Sequence, residues 1–300
     1  MDTLSYFATQ SPITEPGSYS DQIAAMPKDA AALCEAIQGL YLNYKTWYQF
    51  KTGTEQILQS NDHYVRVMLR NVLDKDKSPL TQARDDGERV YASAADYVSL
   101  FCAVMRANGT PARKRVGFKL SDAADSLKYG RIGFEKDYAG DYYVSYDVAE
   151  YWNGTAWEQV DAAGMLGDCK FVSAAEAWQA WRKGEVCACT FHNDPSAGEI
   201  ALRSCLMLDL AAVNKMELLG WDRYGWMTTA VGYLSDRALA VLDEVAELLL
   251  DVDKNLEALQ AVYTREEGLE VPNVLLCAHP IVPAFKFDFT VRERGCGNVK

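Results

Sequence analysis

Asn153-Gly154 lies between two segments rich in β-branched and aromatic residues, and this pair constrains the fold more than any other feature. An Asn-Gly pair in this setting is the strongest local signal for a β-hairpin, because both residues tolerate positive φ angles. The pattern predicts strands over residues 142–152 and 155–162. With a two-residue turn, or a four-residue loop around the same centre, Tyr146 lies directly opposite Asp161.

A strongly apolar helix is predicted ahead of this hairpin, from Ala94 to Asn108, with Gly109 as its C-terminal stop. A strand beginning at Pro111 follows it. After residue 173 the chain is predicted to be almost entirely helical. The helices are expected at residues 174–183, 199–219, 236–251 and 254–263, the third capped by Ser235. These patterns predict an α+β core with N-terminal helices over residues 1–166 and a helical extension over residues 167–300 that packs on it.

Charge and hydropathy exclude several classes of function. The formal net charge of −12 argues against nucleic-acid binding, which needs clustered cations. The one basic cluster, Arg113-Lys114-Arg115, is short and is expected on a solvated strand edge. No apolar run reaches the length of a membrane span, and Met1 to Ser5 show no signal-peptide pattern. We therefore expect a cytoplasmic protein without a membrane partner; the sequence leaves its oligomeric state open.

Eight cysteines are present, and in a cytoplasmic chain we expect most to be small buried side chains. Cys102 lies on the apolar stripe of the predicted helix and is expected in the core. Cys187 and Cys189, with His192 nearby, fall short of the four ligands of a closed zinc site. The sequence therefore predicts neither a metal nor a cofactor.

Three motifs resemble the core of the transglutaminase-like superfamily. The segment from Ala94 to Arg113 (AADYVSLFCAVMRANGTPAR) resembles the family's apolar helix, which ends "LLRAxGIPAR". Tyr146 to Trp152 (YDVAEYW) resembles its "HxxxEYW" strand, and Trp157 to Ala162 (WEQVDA) resembles its "WVxVD" strand. Residues 208–222 are similar to the helical extension of a bacterial subgroup. The resemblance implies a papain-like α+β fold, in which a helix packs on an antiparallel sheet.

The resemblance also implies where a catalytic triad would lie. Its nucleophilic cysteine corresponds to Ala94, its histidine to Tyr146, and its orienting acid to Asp161. In such a triad the helix dipole and the imidazolium stabilise a thiolate that attacks an amide. An alanine methyl cannot attack, and a tyrosine with a pKa near ~10 is a poor base at neutral pH. The triad is therefore degenerate in this chain.

Other candidate site residues have both a functional and a structural interpretation. Ser93 is either a substitute nucleophile or a helix N-cap, and Asp96 is either a substrate-binding group or a favourable charge at the helix N-terminus. Tyr146 and Asp161 form either a proton-transfer pair or a structural pair. Asn214 and Glu217 are predicted on one face of a long helix, where they either bind substrate or lie on a solvated face; His63 and His279 receive no role.

Three functions remain open from the sequence, which favours the first because Tyr146 keeps a proton-bearing group beside Asp161. The first is a diverged, non-thiol enzyme acting on a small molecule, for example in biosynthesis, with Tyr146 and Asp161 in acid–base roles. The second is a pseudoenzyme that binds a metabolite or a protein. The third is a thiol acyltransferase or amidase that carries an inactivating Cys→Ala change at position 94.

Overall fold

The computed structural model describes residues 2–45, 54–121 and 142–290. These residues form a mixed α+β structure, as predicted. The helices are α1 (Thr3–Ala8), α2 (Ser20–Ala24), α3 (Ala30–Gln38), α4 (Thr54–Ile57), α5 (Val65–Lys75), α6 (Ala94–Ala107), α7 (Ala174–Arg182), α8 (Glu199–Val213), α9 (Asp236–Leu249) and α10 (Val252–Arg265). The strands are β1 (Tyr41–Asn43), β2 (Val90–Ala92), β3 (Ala112–Ser121), β4 (Tyr142–Trp152), β5 (Trp157–Val160), β6 (Phe171–Ser173), β7 (Phe191–Asn193), β8 (Ser196–Ala197), β9 (Asp222–Arg223), β10 (Val274–Cys277) and β11 (Phe285–Asp288). Within these ranges no helix has the length and apolar character needed to cross a bilayer.

The largest sheet is organised around β3 and β4. Its strand order is β6-β3-β4-β7-β8, and β5 pairs with the C-terminal part of β4. The long β3–β4 pair is antiparallel, whereas β7 runs parallel to the start of β4. Strands β6, β7 and β8 come from residues 167–300, so the sheet includes both predicted segments. The division at residues 166 and 167 stays a prediction about folding units.

The hairpin forms where Asn153-Gly154 predicts it, but its register differs from the prediction by two residues. Strand β4 has the predicted bounds, whereas β5 begins at Trp157, which pairs with Trp152. The Asn153 side chain causes the difference, because its Oδ1 accepts hydrogen bonds from the backbone N–H groups of Thr155 and Ala156, both at 3.0 Å. The loop is thereby extended to four residues, from Asn153 to Ala156. The prediction that Tyr146 lies directly opposite Asp161 is therefore wrong.

Helix α6 is central to one of the two largest cores. Its side chains are buried from Ala95 to Arg106 on every face, because the helix is enclosed by α2, α3, α5 and the sheet. Phe101 meets Tyr151 of β4 with ring centroids 6.0 Å apart. Cys102 is fully buried there, which confirms its predicted core position. A helix enclosed on all sides is mostly apolar, as this sequence is, and its buried Asp96 and Arg106 have polar partners.

The basic cluster on β3 is buried, which contradicts the predicted solvated edge. Strand β4 pairs with β3 along its length, β6 pairs with it only at residues 117–119, and α8 packs against β3, where the Val116 N–H donates to Asp209 Oδ1 at 2.8 Å. Arg115 donates to Asp209 of α8 from Nε at 3.1 Å and from Nη2 at 2.9 Å. Lys114 Nζ donates to the carbonyl of Leu218 at 2.6 Å, and Arg113 Nε donates to a carboxylate of β4 at 2.6 Å. Each cation is therefore paired where it is buried, as a low-dielectric interior requires.

The four helices predicted after residue 173 are present, but the prediction that this part of the chain is almost entirely helical is wrong, because it also contains strands β7 to β11. The largest difference in helix bounds is at the end of α8. That helix ends at Val213 instead of residue 219, because Asn214 caps it and Lys215 has a φ of +66°. A non-glycine residue in this left-handed region terminates a helix. Ser235 caps α9 as predicted, since its side chain accepts a hydrogen bond from the N–H of Ala238. Helix α9 packs against α7, α8 and α10, and the apolar core between them extends to β3.

Candidate functional site

Tyr146 and Asp161 are in contact despite the shifted register. The Tyr146 hydroxyl donates to Asp161 Oδ1 at 2.5 Å and accepts a hydrogen bond from the Met165 N–H at 3.2 Å. Two more backbone groups donate to the same carboxylate, Gly164 N at 3.0 Å and Leu166 N at 2.6 Å. A two-residue shift leaves both side chains on the same face of the hairpin, so the contact survives. The carboxylate and the phenol thus close a loop of residues 161–166 onto β4.

This environment keeps the Tyr146 phenol protonated. Burial raises its pKa well above the ordinary value for tyrosine, and the adjacent Asp161 carboxylate raises it further. Only 5% of the residue is exposed. A phenol in this state is a hydrogen-bond donor and a poor base at neutral pH.

Ala94 lies at the first position of α6 and is half-buried. It packs against the same apolar cluster as Ala162, Ala163 and Met165, which flank Asp161 in the chain. The Lys119 ammonium lies 5.0 Å from the centroid of the Tyr146 ring and donates to the Met165 carbonyl. Ala94, which the resemblance aligns with the family's cysteine, therefore presents only a methyl group, and the Lys119 ammonium lies close to Tyr146.

Ser93 and Asp96 form a second polar pair at the N-terminus of α6. The Asp96 Oδ2 atom accepts hydrogen bonds from the Ser93 N–H at 2.5 Å and from the Ser93 hydroxyl at 2.8 Å. Ser93 is therefore the N-cap residue, consistent with its structural interpretation. Asp96 is 2% exposed, and burial raises its pKa to about 8. Its Oδ1 has no hydrogen-bond partner among the described residues.

Glu217 lies at the opposite end of α6 from Asp96, and Asn214 lies at the end of α8. Asn214 Nδ2 donates to the Leu210 carbonyl at 2.9 Å, so it caps α8. Glu217 is buried and forms an ion pair with Arg106 Nη1 at 2.7 Å. Arg106 follows Asp96 by ten residues, which places them about 15 Å apart along the helix. The structure therefore does not bring Asn214 and Glu217 together with Asp96, and the prediction that they share one helix face is wrong because α8 ends before them.

Two histidines have structural partners that the sequence did not indicate. His63 Nε2 lies 2.7 Å from Asp222 Oδ2, and both side chains are fully buried. His279 Nδ1 accepts from the Ile281 N–H at 3.1 Å, so the ring proton is on Nε2, which lies 3.1 Å from Ser60 Oγ. Burial lowers the pKa of His279 to about 4. The neutral imidazole therefore donates to Ser60 and cannot act as its base. An isolated histidine in a sequence carries no signal for contacts of this kind.

The cysteines were expected to be mostly buried, and two of them are exposed. Cys34, Cys102, Cys205 and Cys277 are buried and Cys169 is half-buried, so four of the seven described cysteines are buried; Cys296 lies outside the described residues. Cys187 and Cys189 are exposed and joined to each other by a disulfide. Across residues 2–45, 54–121 and 142–290, no group of three or more His, Cys, Asp or Glu side chains is placed to hold a metal ion.

Two surface depressions lie away from these residues. One, of about 510 Å³, is lined by residues of α7 and α9, including Trp178, Arg182 and Asp243. The other, of about 250 Å³, lies between α2 and the segment after α5 and includes Asp21 and Leu80. Neither is lined by any of the predicted site residues.

No family model, curated protein or solved structure matches this chain. The resemblance to the transglutaminase-like superfamily therefore rests on the motifs around Ala94, Tyr146 and Asp161 and stays a prediction. What the chain does must be inferred from the geometry at these positions.

Proposed function

We propose that this chain is a transglutaminase-like pseudoenzyme that binds a small molecule and performs no acyl transfer. The observation that carries the proposal is the state of the Tyr146 hydroxyl, which donates to Asp161 and accepts from the Met165 N–H. In an active triad the group at this position must exchange a proton with the nucleophile. Here the phenol proton is directed to a carboxylate that also accepts two backbone N–H groups. The pair therefore has a structural role, because it fixes the loop of residues 161–166 to β4.

The chemistry of the remaining surface favours a ligand with a carboxylate or carbonyl oxygen. Ala94 is half-buried at the start of α6, where the helix dipole favours negative charge. Lys119 is also half-buried, and its ammonium lies beside the Tyr146 ring. Ala94, Ala162 and Ala163 belong to or pack against one apolar cluster. A compact ligand with an oxygen acceptor and a short apolar group matches this combination.

A second candidate function, a serine-dependent hydrolase, is favoured by one specific contact. The Ser93 hydroxyl donates to the Asp96 carboxyl at 2.8 Å, next to the family's nucleophile position. Because the pKa of Asp96 is raised to about 8, the carboxyl is mostly protonated at neutral pH and becomes a proton acceptor only above that value. Catalysis through this pair therefore predicts an activity that rises with pH through about 8 and is abolished by Ser93→Ala. Ser93 is 6% exposed, which limits the access of a substrate.

The test is a thermal-shift and mass-spectrometry screen against carboxylic acids, amides and esters. The natural chain is compared with Tyr146→Phe, Ala94→Cys and Ser93→Ala. We expect ligands that stabilise the natural chain and are recovered unchanged, and Lys119→Gln to weaken their binding about tenfold. Lys254→Gln, at an exposed lysine of α10, is the matched control and should leave the affinity unchanged.

Each alternative gives a different outcome in the same screen. Product formed by the natural chain and lost in Tyr146→Phe, with binding retained, contradicts the proposal and establishes the diverged non-thiol enzyme. Product lost only in Ser93→Ala establishes the serine hydrolase. Product that appears only in Ala94→Cys establishes a thiol acyltransferase that the alanine has inactivated.

A further inference from the structure

The exposed cysteine pair lies outside the site described above and is independent of the proposed function. Cys187 and Cys189 are two residues apart and are joined by a disulfide. Among the described cysteines that are not in a disulfide, four are buried and Cys169 is half-buried. We propose that Cys187 and Cys189 form a redox-active dithiol–disulfide pair that exchanges with low-molecular-weight thiols and disulfides.

The local backbone brings the two sulfurs together. Residues Ala188–Thr190 form a 3-10 turn, and Cys187 is its N-cap. The Thr190 hydroxyl donates to the Cys187 carbonyl at 2.8 Å, and the Thr190 N–H donates to the same carbonyl at 3.2 Å. The turn has hydrogen bonds of its own, so it persists when the disulfide is reduced. A disulfide that closes so short a loop also constrains the unfolded chain less than one that closes a long loop, so reduction leaves the fold intact.

The same turn distinguishes the two sulfurs chemically. Cys187 Sγ accepts a hydrogen bond from the Cys189 N–H at 3.3 Å. In the reduced protein a backbone N–H donor favours the thiolate over the thiol at this sulfur. Since the thiolate is the nucleophile in thiol–disulfide exchange, Cys187 is the attacking residue and Cys189 resolves the mixed disulfide.

The exchange balances with one small disulfide as the oxidant. The Cys187 thiolate attacks one sulfur of the small disulfide, a mixed disulfide forms, and the first small thiolate leaves. The Cys189 thiolate then attacks Cys187 Sγ, the intramolecular disulfide forms, and the second small thiolate leaves. The protein loses two electrons and two thiol protons, and the small disulfide becomes two thiols. Two small thiols reverse the reaction.

The test uses the full-length chain and glutathione as the probe. The protein is reduced with dithiothreitol, freed of reductant, and incubated with oxidised glutathione; released thiol and intact mass are then measured. We expect two glutathiones released per chain and no adduct on the natural protein. Cys189→Ser should stop at one glutathione bound to Cys187, with one released, and Cys187→Ser should react at least tenfold more slowly. Cys169→Ser is the matched control and should behave as the natural chain does.

Several results would overturn the proposal. One is the absence of an intramolecular disulfide after incubation with oxidised glutathione. Another is equal reactivity of the Cys187→Ser and Cys189→Ser variants, which would remove the distinction between the two sulfurs. A third is alkylation of the reduced native protein at Cys187 and Cys189 no faster than at the buried Cys102. Circular dichroism of the reduced chain checks that it remains folded, and unfolding on reduction would contradict the independence of the turn.

Discussion

Replacing Tyr146 by phenylalanine removes the hydroxyl and retains the ring, so it measures what the hydroxyl contributes. The group donates to Asp161 at 2.5 Å and accepts from the Met165 N–H at 3.2 Å. A hydrogen bond to a charged group contributes about 1.5–3 kcal/mol to stability. We therefore expect Tyr146→Phe to lower the free energy of unfolding at pH 7 by about 2 kcal/mol, and the melting temperature by on the order of 5 °C.

A double-mutant cycle separates this contact from other effects of the substitution. Asp161→Asn should cost at least as much as Tyr146→Phe, because the carboxylate also accepts from Gly164 N and Leu166 N. In the double variant the shared contact is lost only once, so the combined loss should fall short of the sum by about 1–2 kcal/mol. Urea denaturation followed by tryptophan fluorescence provides the four free energies. Tyr233→Phe is the control, since Tyr233 is 82% exposed and should change stability by less than about 0.5 kcal/mol.

The difference in stability between the natural chain and Tyr146→Phe depends on pH, in a direction that the Tyr146 pKa determines. The pKa of Tyr146 is raised in the folded protein, mainly by burial and then by Asp161. A group with a raised folded pKa contributes its full stabilisation below its unfolded pKa, near ~10 for tyrosine, and loses it as the pH rises above that value. The stability difference between the natural chain and Tyr146→Phe should therefore be constant from pH 7 to about 10 and shrink above it. A Tyr146→Phe variant as stable as the natural chain at pH 7, with no coupling to Asp161, would refute the structural role of the Tyr146–Asp161 contact.

Three further substitutions test buried titratable side chains elsewhere in the fold. Glu217→Gln leaves Arg106 buried without its charge partner and should cost about 3–5 kcal/mol in urea denaturation, whereas Glu257→Gln on the exposed face of α10 should cost almost nothing; a loss below about 1 kcal/mol would contradict this. Asp96 has a pKa raised to about 8 by burial, so the natural chain should lose stability as the pH rises from about 4 to 8. Asp96→Asn should abolish this loss, and parallel pH profiles for the two chains would argue against a protonated Asp96. His279 has a pKa lowered to about 4, so its stabilisation is complete above about pH 6.5 and is lost as the pH falls towards 4. Thermal unfolding of His279→Gln should show a smaller decline over that interval, and an unchanged acid profile would count against the buried neutral imidazole.

Local signals in the sequence predicted the elements that local interactions determine. Strand β4 has the predicted bounds, and α7 begins at the predicted residue because Ser173 caps it. The Tyr146–Asp161 contact was predicted from an incorrect register and still forms, since a shift of two residues keeps both side chains on one face. The error arose at the Asn153 side chain, whose hydrogen bonds lengthen the loop. Side-chain capping inside a loop is not specified by the Asn-Gly pair itself.

Contacts between distant residues were the ones that the sequence did not reveal. Arg115 of β3 is buried against Asp209, which follows it by almost a hundred residues, and Lys114 donates to the carbonyl of Leu218, which is equally distant in the chain. His63 pairs with Asp222, 159 residues away in the chain, and neither residue has a local pattern that indicates the other. The burial of Glu217 could not be predicted for the same reason, because its partner Arg106 lies far away in the chain, at the C-terminal end of α6. A charged residue in a sequence is expected at the surface unless its partner is known.

The protonation state of Tyr146 is measured most directly by NMR of the chain labelled with ¹³Cζ-tyrosine, with Tyr146→Phe used to assign the signal. If the phenol is a fixed structural donor to Asp161, its signal stays at the position of a protonated phenol from pH 6 to beyond about 10, where exposed tyrosines titrate. A Tyr146 signal that titrates near neutral pH would contradict the structural role of the Tyr146–Asp161 contact. It would identify a phenol able to exchange its proton with a substrate.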